Sequence, residues 1–206
     1  MVSTLEGLVP LSNSTFERAV DVLTRSFWND PLNEYFFPDE TLRKRFLPVF
    51  FEYRLKQGIK YGEVFATSDK VEGIAIWKHS KTIDTTLWRD IRSGGLKLLR
   101  MYGRTLLNLM LEVNEFTGTR RTKFAISPYM HLGPIAVDPE QQNQGFASKL
   151  IRPMLDYLDE SKIHCYLEAQ SESNVSLYEH YGFEVLDASV VPKTDIPHWD
   201  MMRPPQ

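Results

Sequence analysis

The junction between Ile135 and Ser148 constrains the fold of this chain more than any other segment. It reads IAVDPEQQNQGFAS, in which an apolar strand ends before Pro139 and a polar loop leads through Gly145 into a helix. Such a loop places unpaired backbone N–H groups at the positive end of a helix dipole, which suits a pyrophosphate. Gly145 allows the backbone to approach a phosphate closely. On its own, the pattern also fits an ordinary strand-to-helix turn.

The elements around this junction predict a mixed α/β domain with a central sheet. Residues 163–169 alternate apolar and polar side chains, which is typical of a strand. Pro153 falls inside the helix that follows the loop and should kink it. The apolar stripe from Leu150 to Leu158 continues past this proline, so one helix is predicted. The predicted elements are a strand over 129–137, helices over 145–159 and 174–181, and strands over 163–169, 183–190 and 198–203.

The sequence pattern of the N-terminal half predicts helices before and after a β-hairpin. Apolar residues at helical spacing indicate the first helix, and the turn Ser68-Asp69-Lys70 indicates an antiparallel hairpin. The second helix is predicted to end at Gly58, a residue suited to the left-handed C-terminal position. The predicted elements are helices over 15–27 and 40–57, an aromatic-rich loop over 28–39, strands over 63–67 and 71–77, and a helical stretch over 85–113 that is broken at Gly94-Gly95.

Composition narrows the classes of protein that fit this chain of 206 residues. We expect a single domain over residues 1–206, and no apolar run reaches the about 18 to 20 residues of a membrane span. The net charge of −3 gives no global basic field for nucleic acid. The single cysteine, Cys165, excludes an internal disulfide framework and fits a reducing compartment. Because Met1 to Phe16 lacks the pattern of a signal peptide, we expect a cytoplasmic protein without membrane partners.

A local basic bias lies between Gly95 and Phe124. A solvated helix face with a charged loop is one interpretation of this bias, and a patch that attracts an anionic ligand is the other. The residues concerned are Lys97, Arg100, Arg104, Arg120, Arg121 and Lys123.

The order of motifs from Tyr129 to Phe183 resembles the GNAT acetyltransferase superfamily. The first family signature is an arginine or glutamine, two residues, a glycine, one residue, then glycine or alanine. Gln142, Gly145 and Ala147 match it. The second signature is a helix with an asparagine and a tyrosine before Gly-Phe, and its matches are Asn174, Tyr178, Gly182 and Phe183. The N-terminal half agrees with the family only in the order of its elements.

The resemblance implies a twisted, mostly antiparallel sheet that contains a splayed parallel strand pair, with helices on both faces. It also implies that acetyl-CoA lies in the gap between these two strands. Backbone groups of the first strand would contact the pantetheine arm and the acetyl carbonyl, and amides of the loop would hold the pyrophosphate. The residues implied in cofactor binding are Ile135, Ala136, Val137, Gln142, Asn143, Gln144, Gly145, Phe146, Ala147, Ser148, Asn174 and Tyr178.

The same resemblance implies an N-acetyltransferase in which an amine attacks the thioester directly. Tyr178 would lie near the thioester sulfur and protonate the departing thiolate, for which a phenol with a reference pKa of about 10 is suitable. A tyrosine that only packs on the sheet is the alternative for Tyr178, and a helix cap is the alternative for Asn174. A non-catalytic acyl-CoA-binding or regulatory domain is the alternative for the whole chain.

Two residues are candidates for accepting the proton of the amine. His131 lies on the strand before the loop, where relatives that acetylate aromatic amines carry a histidine that relays the proton. Glu168 projects from the second strand of the predicted splay. A buried histidine satisfied by the backbone and a salt-bridged carboxylate are the competing interpretations. Cys165 is predicted to be a small buried hydrophobe, and no metal is expected because the histidines lack ligand spacing.

The acceptor is expected to be a primary amine of a small molecule or a peptide, and the sequence does not identify it further. An aromatic group near the first helix is a candidate acceptor pocket, with plain core packing as the alternative. Its members are Phe27, Trp28, Tyr35, Phe36, Phe37 and Trp77. The helical stretch over residues 85–118 is predicted to be an insertion that forms a lid or a homodimer contact, although it also fits plain packing.

Overall fold

One seven-stranded sheet organises the computed structural model, which describes residues 5–206. The first four residues of the N-terminal segment discussed above lie outside the described residues. The strands are β1 (Val9–Pro10), β2 (Glu63–Ala66), β3 (Gly73–His79), β4 (Tyr129–Val137), β5 (His164–Ala169), β6 (Glu184–Val190) and β7 (Pro197–Arg203). Their order in the sheet is β1-β2-β3-β4-β5-β7-β6. Every neighbouring pair is antiparallel except β4 and β5, which are parallel.

Seven α-helices flank this sheet. They are α1 (Phe16–Ser26), α2 (Pro31–Phe36), α3 (Glu40–Tyr61), α4 (Leu87–Arg92), α5 (Gly95–Phe124), α6 (Phe146–Glu160) and α7 (Glu172–Glu179) in the described residues. The strand β3 shows how two cores form on opposite faces of the sheet. Ala75 and Trp77 join α6 and α7 in one core, whereas Ile74 and Ile76 join α1, α3 and α5 in the other. The predicted fold class, with helices on both faces of a mostly antiparallel sheet, is confirmed.

Most predicted elements are confirmed with small shifts at their ends. The extended segment 129–137 is observed as β4, and the hairpin of β2 and β3 is antiparallel. The helix α6 continues through Pro153 as a single element, as predicted from its apolar stripe. Within residues 5–206, no helix combines the length and the apolar character that crossing a membrane requires.

Two helix predictions in the N-terminal half were wrong. The helix α3 does not end at Gly58 but continues to Tyr61. Gly58 is buried, and an added Cβ would lie 2.7 Å from an Ile76 methyl group, so this glycine allows the helix to approach the sheet closely. The segment 28–39 is not only a loop, because it contains α2, whose N-terminus is capped by the Asp30 carboxylate.

Two further corrections concern α5 and α7. The helical stretch predicted to end at residue 113 extends to Phe124, with one non-helical residue, Gly103, at φ 70° inside it. Ser171, and not Asn174, is the N-cap of α7, and its hydroxyl accepts from the Asn174 amide. The capping alternative for Asn174 was therefore wrong, and the exposed Asn174 side chain is left for another role.

Candidate active site

The strands β4 and β5 lie side by side for three residue pairs and then separate. The paired residues are Tyr129 with His164, Met130 with Cys165, and His131 with Tyr166. Beyond this point β4 stays paired with β3 as far as Val137, while β5 stays paired with β7 as far as Ala169. In the described part of the chain, the facing edges of β4 and β5 therefore have no strand partner past His131. Their backbone groups are available to a molecule that enters the gap.

The loop after β4 presents backbone amides at the start of α6. Asn143 and Gly145 adopt positive φ angles of 63° and 83°. The first helical hydrogen bond runs from the Lys149 amide to the Gly145 carbonyl, and no side chain caps the helix. The preceding amides of the first turn thus lack an intrahelical acceptor and point at the exposed loop, as an anion site requires. No heavy atom lies within 4 Å of a Cβ built on Gly145, so the space above it is open.

Helix α1 holds this loop in place through Asp138. The buried Asp138 carboxylate forms ion pairs with Arg18 and Arg25 and accepts the Glu140 amide at 3.0 Å. Burial opposes its ionisation, but the amide and the two guanidinium groups keep the pKa of Asp138 below its ordinary value. Ser26 adds a hydrogen bond of 2.8 Å to the Val137 carbonyl. These contacts fix the end of β4 and the start of the loop.

We expect Asp138→Asn to lower the free energy of unfolding at pH 7 by about 1–2 kcal/mol. This is less than for a fully buried pair, because the Arg18 and Arg25 side chains are 41% and 34% exposed. Since folding lowers the pKa of Asp138, its contribution is present above about pH 4 and is lost as the pH falls below that. Urea unfolding of both proteins at pH 7 and about pH 3 tests this prediction. A difference between the proteins that does not shrink at low pH would contradict the ion-pair account.

The helix α7 places Tyr178 beside the strand that borders the gap. The Tyr178 ring packs edge-on against Phe183 at 5.7 Å and belongs to the same core as Cys165 and Leu167 of β5. Burial, with Cys165 and Tyr181 nearby, raises the pKa of the Tyr178 phenol. The hydroxyl is therefore protonated at neutral pH, as a proton donor must be. These contacts also fit the alternative in which Tyr178 only packs, so its role stays a prediction.

Ser148 lies at the junction of α6 with the end of α7. Its hydroxyl is 2.6 Å from the Tyr181 hydroxyl. Gln142 is exposed, and its side-chain amide donates to the Val137 carbonyl at 3.4 Å. The residues from Gln142 to Ser148 thus lie together at one end of the gap.

His131 and Glu168 meet across the splayed strands. Their side chains are largely buried, and His131 Nε2 lies 2.6 Å from Glu168 Oε2. Burial opposes ionisation, but His131 and Arg121 keep the pKa of Glu168 below its ordinary value. A carboxylate accepts the Nε2 proton, and in a neutral imidazole with that proton Nδ1 carries the lone pair. Nδ1 is buried and has no hydrogen-bond partner among the described residues.

Three basic side chains surround this pair, and sequence reasoning missed two of them. Arg121 Nη1 lies 3.5 Å from Glu168 Oε1, and Arg54 donates to the Gly133 carbonyl at 3.4 Å. Lys78 lies directly opposite His131 in the β3–β4 register. The one signal in the sequence was a lysine directly after the apolar run from Ile74 to Trp77 in β3. Arg54 is brought here from α3 by tertiary packing alone.

The arginines near the C-terminal end of α5 do not form a solvated face. Arg120 donates to Asp200 at 2.6 Å and to Asp187 at 2.7 Å, and only 13% of its side chain is exposed. The Tyr166 hydroxyl also donates to Asp200. These contacts fasten the end of α5 to β6 and β7. The solvated interpretation was therefore wrong for Arg120 and Arg121, although Lys97 does lie at the surface, paired with Glu52.

The aromatic candidates for an acceptor pocket are mainly core residues. Phe37 packs against Phe46 and Tyr102 at 5.8 and 5.5 Å and is buried. Trp77 is fully buried in the other core. Phe27, Trp28 and Phe36 are partly buried against the core of α1 and α3. Cys165 is also fully buried and its pKa is raised by burial, which agrees with its prediction as a small hydrophobe.

Comparison with known proteins agrees with this geometry. The family model described as the acetyltransferase (GNAT) domain matches residues 99–203, which is just over half of the chain. The chain belongs to the GNAT acetyltransferase family. An uncharacterized N-acetyltransferase of Schizosaccharomyces pombe is 27% identical to this GNAT protein over 174 residues, which cover 82% of this chain and 70% of the relative.

Solved structures show the same fold. A Corynebacterium glutamicum protein, described as a histone acetyltransferase and related acetyltransferase, superposes with a TM-score of 0.69 at 21% identity and covers 98% of both chains. A putative arylalkylamine N-acetyltransferase of Aedes aegypti gives a TM-score of 0.63 at 10% identity, over 97% of this chain and 87% of its own. At such identities these likenesses show the fold of this GNAT protein and not its acceptor.

Proposed function

We propose that this protein transfers the acetyl group of acetyl-CoA to a primary amine of a small molecule or a peptide. One observation carries the proposal. The gap between β4 and β5 has an exposed amide-rich loop at one end and the buried pair of His131 and Glu168 beside it. A thioester with a pyrophosphate tail fits such a gap, because the loop binds the anion while the strand edges hold the arm.

The cofactor site follows from the strand and the loop. Backbone groups of Ile135, Ala136 and Val137 bind the pantetheine arm and stabilise the developing oxyanion. The amides from Gln142 to Ala147 and the Ser148 hydroxyl hold the pyrophosphate. Asn174 binds the pantetheine arm from α7. We also propose that residues 1–206 act as one GNAT domain, in which the acceptor binds on the face of the sheet that packs against α1, α3 and α5, and the segment 85–118 covers this acceptor side.

The chemistry requires one proton acceptor and one proton donor. The amine nitrogen forms a bond to the acetyl carbon, and the bond from that carbon to sulfur breaks. His131 Nδ1 takes the proton that the amine loses, and Glu168 holds the imidazole in the required tautomer. Tyr178 donates its proton to the thiolate that leaves. The products are an amide and free CoA.

We expect His131→Ala to lower kcat by about a hundredfold while the affinity for acetyl-CoA stays within about threefold. The variant removes the proton acceptor but leaves the loop and the strand edges in place. Thiol release from acetyl-CoA, measured with a library of primary amines, tests both the activity and this role. His79→Ala is the control, because His79 lies at the end of the neighbouring strand β3 and, among residues 5–206, its side chain bonds only to Ser80 and Lys81 of the following turn.

Two results would count against the proposal. Binding of acetyl-CoA without thiol release by any amine would favour a non-catalytic acyl-CoA-binding domain. Full activity of His131→Ala would remove His131 as the proton acceptor and leave Glu168 as the candidate.

A further inference from the structure

A group of basic side chains lies on the acceptor side of the sheet and has no role in the proposed chemistry. We refer to Arg54, Lys78 and Arg121 as the basic cluster. Each belongs to a different element, namely α3, β3 and α5. Arg121 lies beside Glu168, whose carboxylate contacts His131, and Arg54 and Lys78 approach the part of β4 between His131 and Gly133. This is the point at which β4 leaves β5 and the gap begins.

The basic cluster carries more positive charge than its carboxylate neighbours neutralise. Within residues 5–206, Arg121 is paired with Glu168 and with the exposed Asp84, but neither Arg54 nor Lys78 takes part in an ion pair. Lys78 is only 7% exposed, and Arg54 is half-buried. Partly buried charges without an opposite charge beside them are costly, so their presence points to an anion that binds there.

The electrostatics agree with an excess of positive charge. Burial, together with the charges of Arg54 and Arg121, lowers the pKa of Lys78 to about 7 against the attraction of Asp90. Burial also lowers the pKa of Arg54. A negative group placed between Arg54 and Lys78 would reverse this effect and hold both side chains in their charged forms.

An open depression lies at the surface beside Arg121. It has a volume of about 470 Å³ and is lined by Asp84, Glu115, Gly118, Thr119, Thr122 and Lys123. Arg121 lies between this depression and the interior, because Nη2 bonds to Asp84 at 3.1 Å and Nη1 lies 3.5 Å from Glu168.

We propose that the amine acceptor carries a carboxylate, bound by Arg54 and Lys78, so that the substrate class is an amino acid or a similarly small amino acid analogue. This inference rests on the proposed function and specifies the acceptor for the same site. A guanidinium binds a carboxylate through two parallel hydrogen bonds, and the lysine adds a compact charge. The carboxylate then fixes the direction of the amine, which points toward His131 and the thioester.

Matched pairs of amines that differ by one carboxylate test the proposal. The pairs are tyrosine and tyramine, tryptophan and tryptamine, ornithine and putrescine, and lysine and cadaverine. We expect kcat/KM for the amino acid to exceed that for its decarboxylated partner by about tenfold to a hundredfold in at least one pair, as for a charge-assisted hydrogen bond. Turnover without such a preference in any pair would overturn this inference but leave the proposed function standing.

The variant Arg54→Gln shows whether the basic cluster causes the preference. We expect the ratio of kcat/KM within the preferred pair to fall to about threefold or less. Arg45→Gln is the control, since Arg45 is an exposed arginine on the same helix and stacks on Phe46. An unchanged ratio in a folded Arg54→Gln protein that still binds acetyl-CoA would contradict the assignment.

Binding measurements separate this inference from a failure of the proposed function. Calorimetry of the amino acids with the protein saturated with CoA does not depend on turnover, and Arg54→Gln should weaken binding by at least about tenfold. If no amine is acetylated but the amino acids bind through Arg54, the proposed function fails and the anion site stands. If no amine is acetylated and no amino acid binds, both fail.

Discussion

Gly145→Glu is expected to abolish measurable binding of acetyl-CoA, with a loss of at least about a hundredfold in affinity, or about 2.7 kcal/mol. Gly145 stands at φ 83° immediately before α6, and the space above it is open. A glutamate there fills the space that a pyrophosphate would take and adds a negative charge beside the phosphates. It also forces a side chain onto a backbone conformation that favours glycine. Isothermal titration calorimetry with acetyl-CoA measures the loss.

Gly94→Glu is the control that distinguishes loss of the pyrophosphate site from the effect of backbone strain. Gly94 also has a positive φ, 106°, also precedes a helix, and likewise has no heavy atom within 4 Å of a built Cβ. Both variants should therefore lose similar stability, but only Gly145→Glu should lose the cofactor. Equal affinities for acetyl-CoA in Gly145→Glu and the wild type would place the pyrophosphate elsewhere.

Tyr178→Phe is expected to lower kcat by about a hundredfold or more, with little change in the affinity for acetyl-CoA. The phenol is held by the Phe183 contact and has a raised pKa, so it is available to protonate the thiolate. Removing the hydroxyl keeps the packing of the ring, but the thiolate then departs without a proton donor. General acid catalysis typically contributes a factor of about 10² to 10⁴ to the rate. Single-turnover thiol release with a good amine measures the chemical step directly.

Tyr157→Phe is the matched control for this variant. Tyr157 lies on α6, is partly buried against the same core, and is assigned no part in the chemistry. It should leave kcat unchanged. If Tyr178→Phe behaves in the same way, Tyr178 only packs on the sheet, and another group or water protonates the thiolate.

The parts of the fold that were predicted correctly depend on local pattern. The strand β4, the loop and α6 follow one another in sequence, and their glycine, proline and apolar periodicity are visible there. Gly58 was misassigned because the same residue type serves two purposes. A glycine ends a helix when its φ is positive, but here it allows α3 to approach Ile76 of β3. Only the packed structure distinguishes these two uses.

In the candidate site too, sequence pattern identified individual residues, whereas only the packed structure shows which of them are in contact. His131 and Glu168 were each identified from strand position, but their contact depends on the parallel register of β4 and β5, which the sequence does not specify. Arg54 was missed because it lies on α3, far along the chain from Gly133. Arg121 was noticed only as part of a basic run, since its carboxylate partner lies on a strand that comes later in the sequence.

Transfer of a labelled acetyl group tests the central claim most directly. The wild-type protein is incubated with acetyl-CoA that carries a ¹³C-labelled acetyl group and with the mixture of amino acids and amines, and the products are analysed by mass spectrometry. We expect label to appear in an amide of at least one acceptor, and we expect the Tyr178→Phe protein to form this amide much more slowly. Label that stays on CoA or is released only as acetate, from a folded protein that binds acetyl-CoA, would contradict the account.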